Sequence, residues 1–248
     1  MNSLERVSGT AVDETDNTRV HWLHCLNVRP QFDERVFDDQ WLASQGYIIN
    51  SPSAGRGASL FLKIDRIDLV LRHYRRGGMV RNFSQKSYIW QGLQKTRAWQ
   101  EFDVLCTLEK KGLPAPRPYA CQVKRSGLIY NATLITHYLN GVTLAERICT
   151  ASLTSDQWFS IGQCISRFHA AGVNHADLNA HNILFDDSGH VSVIDFDRAS
   201  IDPAAPKSRF DNNLKRLQRS LNKIDSSGPA SYDEKCWDAL VQGYTQGY

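Results

Sequence analysis

The stretch HADLNAHNILFDDSGHVSVIDFD, residues 175 to 197, restricts what this chain can fold into more than any other part of it. Its first eight residues are too polar for a core strand and lack the spacing of an amphipathic helix, which leaves a loop. "NILF" and "VSVIDF" then read as short strands, with "DSGH" as the turn between them. Folded back as a hairpin, they bring Asp195 toward Asp177 and put Asn182 at the hairpin's start. The spacing is D-x-x-x-x-N, twelve residues, then D-F-D. A carboxylate such as Asp177 beside a hydroxyl can orient it and take its proton. Asp195 and the amide oxygen of Asn182 are hard ligands suited to magnesium, which takes few protein groups because it also binds substrate phosphates. The pattern points to a phosphoryl-transfer site.

With 248 residues, 42% of them hydrophobic, the chain can bury a proper core as one domain or two small lobes. No run reaches the roughly 20 apolar residues of a membrane-spanning helix, and "MNSLERVSGTAVDETDN" lacks a signal peptide's apolar centre, which predicts a cytosolic protein. Six cysteines without a C-x-x-C pair predict reduced, separately buried thiols. The net charge of +3 is unevenly spread. Basic residues crowd into "LRHYRRGGMVR" (Arg72, Arg75, Arg76, Arg81) and "NLKRLQRSLNK" (Lys215, Arg216, Arg219, Lys223). Two basic surfaces imply an anionic partner. Nucleic acid is a poor fit, because these patches lack interleaved aromatic residues for stacking.

Along the chain, residues 1–45 read as a polar, irregular N-terminal extension with Trp22, Phe37 and Trp41 as anchors. Strands are expected at Tyr47–Ile49, Ser59–Ile64, Ile67–Tyr74, Tyr119–Val123 and Ile129–Ile135. Between them, "SQKSYIWQGLQKTRAWQEFDVLCTLEKKG" carries Trp99, Phe102, Leu105 and Leu108 at helical spacing. Residues 46–139 thus form a lobe of sheet plus one helix. Residues 140–248 form a mostly helical lobe: "SDQWFSIGQCISRFHAAG" is a helix with Ser155 as N-cap and Gly172 as stop, and Leu214, Leu217 and Leu221 stripe a later one.

"HADLNAHNIL" with "VIDFD" resembles the catalytic and metal loops of the protein-kinase-like fold in its small-molecule-kinase variant. The closer resemblance is to the 3-deoxy-D-manno-octulosonic acid (Kdo) kinase family. It is carried by "GRGASLFLKIDRIDLVLRHYRRGGMVRNF", "KTRAWQEF", "GLPAPRP", the two loops and "NNLKRLQRSLNK", over about residues 47 to 223. The resemblance implies a bilobal α+β fold, with an antiparallel N-lobe sheet and one helix, a helical C-lobe, and ATP between them. It makes Asp177 the catalytic base and Asn182 and Asp195 the Mg2+ ligands. Asp197 stands where the familiar motif has Gly, and a second metal role there stays open.

By the same resemblance Gly55 and Gly57 cover the nucleotide phosphates through backbone N–H groups, although "GRG" alone reads equally well as a hairpin turn. Arg72 occupies the place of the usual phosphate-binding Lys. Its candidate partner is Glu101, which could otherwise be a solvated helix residue. Arg75 and Arg76 are candidates for binding the acceptor, a Kdo-containing lipid A precursor with a carboxylate and phosphates. The basic helix is either a solvated face or a contact with an anionic membrane, which would hold the protein peripherally at the cytoplasmic side of the inner membrane. His175 and His181 lack a third ligand at a fixed spacing for zinc. His175 is expected to brace the loop and His181 to be exposed. The rival readings are a kinase of another core sugar such as heptose or of a small alcohol, and an inactive kinase-like binding module.

Overall fold

The computed structural model describes residues 6–13, 18–25, 33–50, 59–74, 88–225 and 231–247, and divides the chain into two compact units. The first contains residues 1–106 and 116–138, the second 107–115 and 139–248. Sequence reading had put the cut near Asn140. The architecture is α+β, with a large antiparallel sheet and six α-helices among the described residues.

In the first unit, β4 (Ser59–Ile64) and β5 (Ile67–His73) form a hairpin closed by Asp65 and Arg66. Asp65 takes a left-handed φ of 55°, which a short polar side chain tolerates better than a branched one. Leu62, Leu69 and Leu71 point into the core, and α2 (Arg97–Lys110) lays Ala98, Phe102, Leu105 and Cys106 into it. Burying a Leu or Phe side chain contributes about 1.5–3 kcal/mol, so this face fixes the helix in place. The remaining strands are β1 (Arg6–Asp13), β2 (Thr18–Cys25), β3 (Ile48–Asn50), β6 (Tyr88–Ile89), β7 (Pro118–Ser126) and β8 (Ile129–His137). Their order is β1-β2-β7-β8-β5-β4-β3, with β6 also on β8.

Three expectations need correction here. The N-terminal segment is not an irregular extension. Arg6–Cys25 forms an antiparallel hairpin whose second strand pairs with β7, and α1 (Asp39–Ser44) follows, N-capped by Asp38. β1 is an edge strand with mostly exposed side chains, so it carries little apolar alternation to read. The expected long helix begins only at Arg97. Upstream of it lie β6, a 3-10 turn at Leu93–Lys95 and Gly92 at φ 107°, a conformation no helix accommodates. The thiols are not all separately buried either: Cys149 is exposed, and the buried Cys25 and Cys106 contact each other, a contact that with burial holds the Cys106 thiol protonated.

In the second unit, β9 (Val142–Thr143) leads into α3 (Leu144–Thr150) through a capping box between Thr143 and Glu146. α4 (Ser155–Ala170) is capped by Thr154 rather than Ser155, again reciprocally with Gln157. Gly172 ends it at φ 78°. Two small sheets follow. β10 (Val173–Asn174) pairs with β13 (Ser200–Ile201), and β11 (Ile183–Phe185) lies between β9 and β12 (Val191–Val193). The Val193 amide also donates to the Pro114 carbonyl at 2.9 Å, which ties "GLPAP" to this unit. α5 (Lys207–Asp225) and α6 (Glu234–Gln246) complete it. α6 lies tightly against α4 through Gly243 and Gly162, where a Cβ on either glycine would collide with the other helix's backbone. No helix among the described residues is long and apolar enough to cross a membrane.

Candidate active site

The polar loop is built by its own asparagines. The Asn179 side chain accepts from the His181 amide at 2.9 Å, closing a local turn that starts the 3-10 segment Ala180–Asn182. The amide nitrogens of Asn179 and Asn182 both donate to the Asp177 carbonyl, each at 2.9 Å. Leu178, Ala180 and Asn182 are buried, while the Asp177 side chain stays 62% exposed. A clamped backbone under an open carboxylate suits a group that must meet a substrate hydroxyl in a fixed place.

Asn182 has spent its donor nitrogen, which leaves its amide oxygen as the group available to a hard cation. Its backbone carbonyl accepts from the Ile194 amide at 2.9 Å, and Ile183 pairs with Val193, so the hairpin brings Asp195 beside Asn182. Asp195 is held at φ 64°, in the left-handed region, by its neighbours. Phe196 is buried against Phe168 and His175, with ring centroids 5.7 and 4.9 Å apart. That anchoring supports a strained conformation at Asp195. Two oxygen donors brought to one end of a hairpin fit magnesium, which keeps its other positions for water and phosphate.

His175 braces the loop against the end of the hairpin. Its Nε2–H donates to the Ile194 carbonyl at 3.0 Å, and its Nδ1 accepts from the Asp177 amide at 3.3 Å. With both nitrogens engaged it has no lone pair for zinc, and burial pushes its pKa below the usual histidine range. His181 is exposed, as expected.

What the sequence did not reveal is how far α5 holds the loop. The buried Asn213 accepts from the His175 amide at 3.1 Å and donates to the Asn174 side chain at 3.0 Å. Ser220 Oγ accepts from the Ala180 amide at 3.2 Å. Arg216 donates to Asp177 Oδ1 at 3.3 Å. Phe210, Asn213, Leu217 and Leu221 form the buried stripe, whereas Leu214, expected in it, is only half-buried. An Asn at a stripe position was the one available signal, since a buried amide must find partners.

In the first unit, Arg72 on β5 forms an ion pair with Glu101 of α2. Tyr74 completes a triad, its hydroxyl donating to Glu101 and accepting from Arg72 at 3.2 Å. Glu101 is 4% exposed and Arg72 26%, so the guanidinium covers a buried carboxylate and keeps part of its surface open. Gly55, Gly57, Arg75 and Arg76 lie outside the described residues.

The sequence profile described as the lipopolysaccharide kinase (Kdo/WaaP) family matches residues 39–244. Relatives named 3-deoxy-D-manno-octulosonic acid kinase include one from Stenotrophomonas maltophilia (strain K279a), 42% identical over 195 residues and 78% of each chain. Another, from Xanthomonas axonopodis pv. citri (strain 306), is 40% identical over 86% of this chain and 85% of its own. A third, from Xylella fastidiosa (strain M23), is 39% identical over 89% and 87%. With the Asp177, Asn182 and Asp195 arrangement described above, a match of this extent settles the affiliation: the chain belongs to the lipopolysaccharide kinase (Kdo/WaaP) family.

Proposed function

We propose that this chain transfers the γ-phosphoryl group of ATP to the 4-hydroxyl of Kdo on a lipid A precursor. The observation that carries the reading is the clamped loop, which holds Asp177 on a fixed backbone, together with the hairpin register that sets Asp195 next in sequence to the residue bonded to the Asn182 carbonyl. The name shared by the relatives supports the acceptor, and the family resemblance supports the position on the sugar.

Asp177 accepts the hydroxyl proton as the acceptor oxygen bonds to the γ-phosphorus, and the bond to the β–γ bridging oxygen breaks to release ADP. Magnesium held by Asn182 and Asp195 would supply charge neutralisation at the phosphates. Arg72, oriented by Glu101 and Tyr74, would hold phosphate oxygens, and Gly55 and Gly57 would cover them. Arg75 and Arg76 would contact the acceptor. A lipid-borne acceptor places the protein peripherally at the anionic cytoplasmic face of the inner membrane.

The test is incubation with γ-labelled ATP, magnesium and a panel of acceptors: Kdo-lipid, its deacylated form, a heptose-lipid and soluble alcohols. Label on the Kdo acceptors, lost in Asp177→Asn, is the expected result. Label on heptose or alcohol acceptors alone, or on none, overturns it.

A further inference from the structure

An open groove lies beside the catalytic loop, and both its walls belong to the second unit. It is lined by Asn179 and His181 on the loop and by Arg216, Arg219, Ser220 and Lys223 on α5. Positions 216, 219, 220 and 223 recur at steps of three and four, so they share one face of the helix. Arg216, Arg219, Lys223 and His181 are exposed, and three of these four carry permanent positive charge. Glu146, on α3, is an acid that interacts with His181 from a neighbouring element. Its carboxylate is engaged by the Thr143 amide at 3.0 Å and the Thr143 hydroxyl at 2.8 Å.

Arg216 decides what this groove can bind. One of its nitrogens reaches Asp177 Oδ1 at 3.3 Å, yet a guanidinium has five N–H donors in a planar fork. An oxyanion taken by the remaining donors would lie within about 8 Å of the Asp177 carboxylate, given ordinary hydrogen-bond lengths. Any group held there must be close to the hydroxyl that Asp177 deprotonates.

We propose that this groove is the anion subsite of the acceptor and takes the carboxylate of the very sugar that is phosphorylated, through Arg216 and Arg219 with Lys223 behind them. This deepens the proposed function and rests on it. In a Kdo unit the carboxylate is borne on the ring carbon two bonds from the carbon carrying the 4-hydroxyl, whereas the lipid phosphates belong to other sugars. Only the carboxylate satisfies the proximity that Arg216 imposes. The subsite thereby selects an acid sugar over a neutral one, and Arg216 couples acceptor binding to the orientation of Asp177.

The test uses the full chain, without vesicles, on a deacylated Kdo acceptor, its C1-carboxamide analogue and its dephosphorylated form. Wild type is expected to prefer the carboxylate over the carboxamide by about 10- to 100-fold in kcat/KM, the range for charge-assisted hydrogen bonds. Removing the lipid phosphates should cost much less. Arg219→Gln, which spares the contact to Asp177, should raise the acceptor KM about tenfold, leave the KM for ATP unchanged and reduce the carboxylate preference.

Equal turnover of carboxylate and carboxamide by wild type overturns the subsite even if Arg219→Gln does not fold. A preference that follows the phosphates instead overturns the carboxylate assignment. An Arg219→Gln variant with wild-type kcat/KM on the soluble acceptor shows that the basic face does not bind the acceptor, and the proposal falls. If wild type phosphorylates no Kdo acceptor at all, the proposed function fails and takes the subsite with it. Phosphorylation without carboxylate preference removes the subsite alone.

Discussion

The Asn182 side-chain amide donates to the Asp177 backbone carbonyl at 2.9 Å, so the metal-ligand candidate and the base candidate are mechanically one unit. Asn179 makes the same contact from the other side of the turn. Their proposed roles differ: the Asn179 oxygen accepts from the His181 amide, whereas Asn182 is the proposed magnesium ligand. Asn179→Ala should lower turnover by about tenfold through a loosened base, with unchanged magnesium dependence. Asn182→Ala should lower turnover and also raise the magnesium concentration needed for half-maximal rate. Identical magnesium titrations for both variants would remove Asn182 from the metal site.

Asp195, the proposed metal ligand, has a left-handed backbone. Asn tolerates that conformation and Ala does not, at a cost of roughly 1–2 kcal/mol. Asp195→Asn should therefore melt near wild type yet lose productive Mg-ATP binding. Asp195→Ala should lose both binding and stability. Magnesium-dependent activity in Asp195→Asn close to wild type would sink the assignment.

In the Arg72, Glu101 and Tyr74 triad a buried carboxylate pairs with the Arg72 guanidinium and the Tyr74 hydroxyl. Arg72→Ala should destabilise by about 3 kcal/mol, because it removes the guanidinium paired with the buried Glu101 carboxylate. Adding Glu101→Gln to that background should recover part of the loss, and in catalysis the double variant should be no worse than Arg72→Ala. Strictly additive losses in denaturant unfolding and in kcat/KM would show that the pair does not act together.

His169 and His175 are buried in the second unit, and burial lowers both pKa values, His169 to about 4. His169 accepts from the Tyr244 hydroxyl at 2.9 Å and donates to Asn213 Oδ1 at 3.3 Å, a neutral-form arrangement. The unfolded histidine takes up its proton first as pH falls below about 6.5. Stability is therefore complete above that pH and declines until the folded value is reached. Between pH 7 and pH 5 His169 alone accounts for about 2 kcal/mol, measurable as a lower urea midpoint. In His169→Gln the decline should be shallower; an equally steep one would contradict the assignment.

Gly162 and Gly243 let α4 and α6 approach to backbone contact. Ala is worth about 1 kcal/mol more than Gly in a helix interior, so propensity favours substitution. Overpacking costs roughly 1–3 kcal/mol and here opposes backbone rather than a movable side chain. Gly162→Ala should thus lower the melting temperature despite its better helix propensity. A rise would show that the helices part without penalty.

The polar loop and its hairpin were legible in the sequence because their geometry is local. Asp177, Asn182 and Asp195 lie within nineteen residues, and the turn, the β-pairing and the asparagine clamps all operate inside that span. The same holds for the β4–β5 hairpin and the stop at Gly172. Arg72 with Glu101 was within reach because a known fold supplied the pairing that a separation of 29 positions hides.

Tertiary structure alone decided what the polar faces do. The pairing of β2 with β7 joins segments about a hundred residues apart, and an edge hairpin has no apolar alternation to announce it. On α5, Asn213, Arg216 and Ser220 reach loop residues 38 to 40 positions away. Composition marks those residues only as polar or basic. Whether a charge on a helix faces solvent, a membrane or a catalytic carboxylate depends on which neighbour the buried stripe packs against, and that choice is made by the whole core at once.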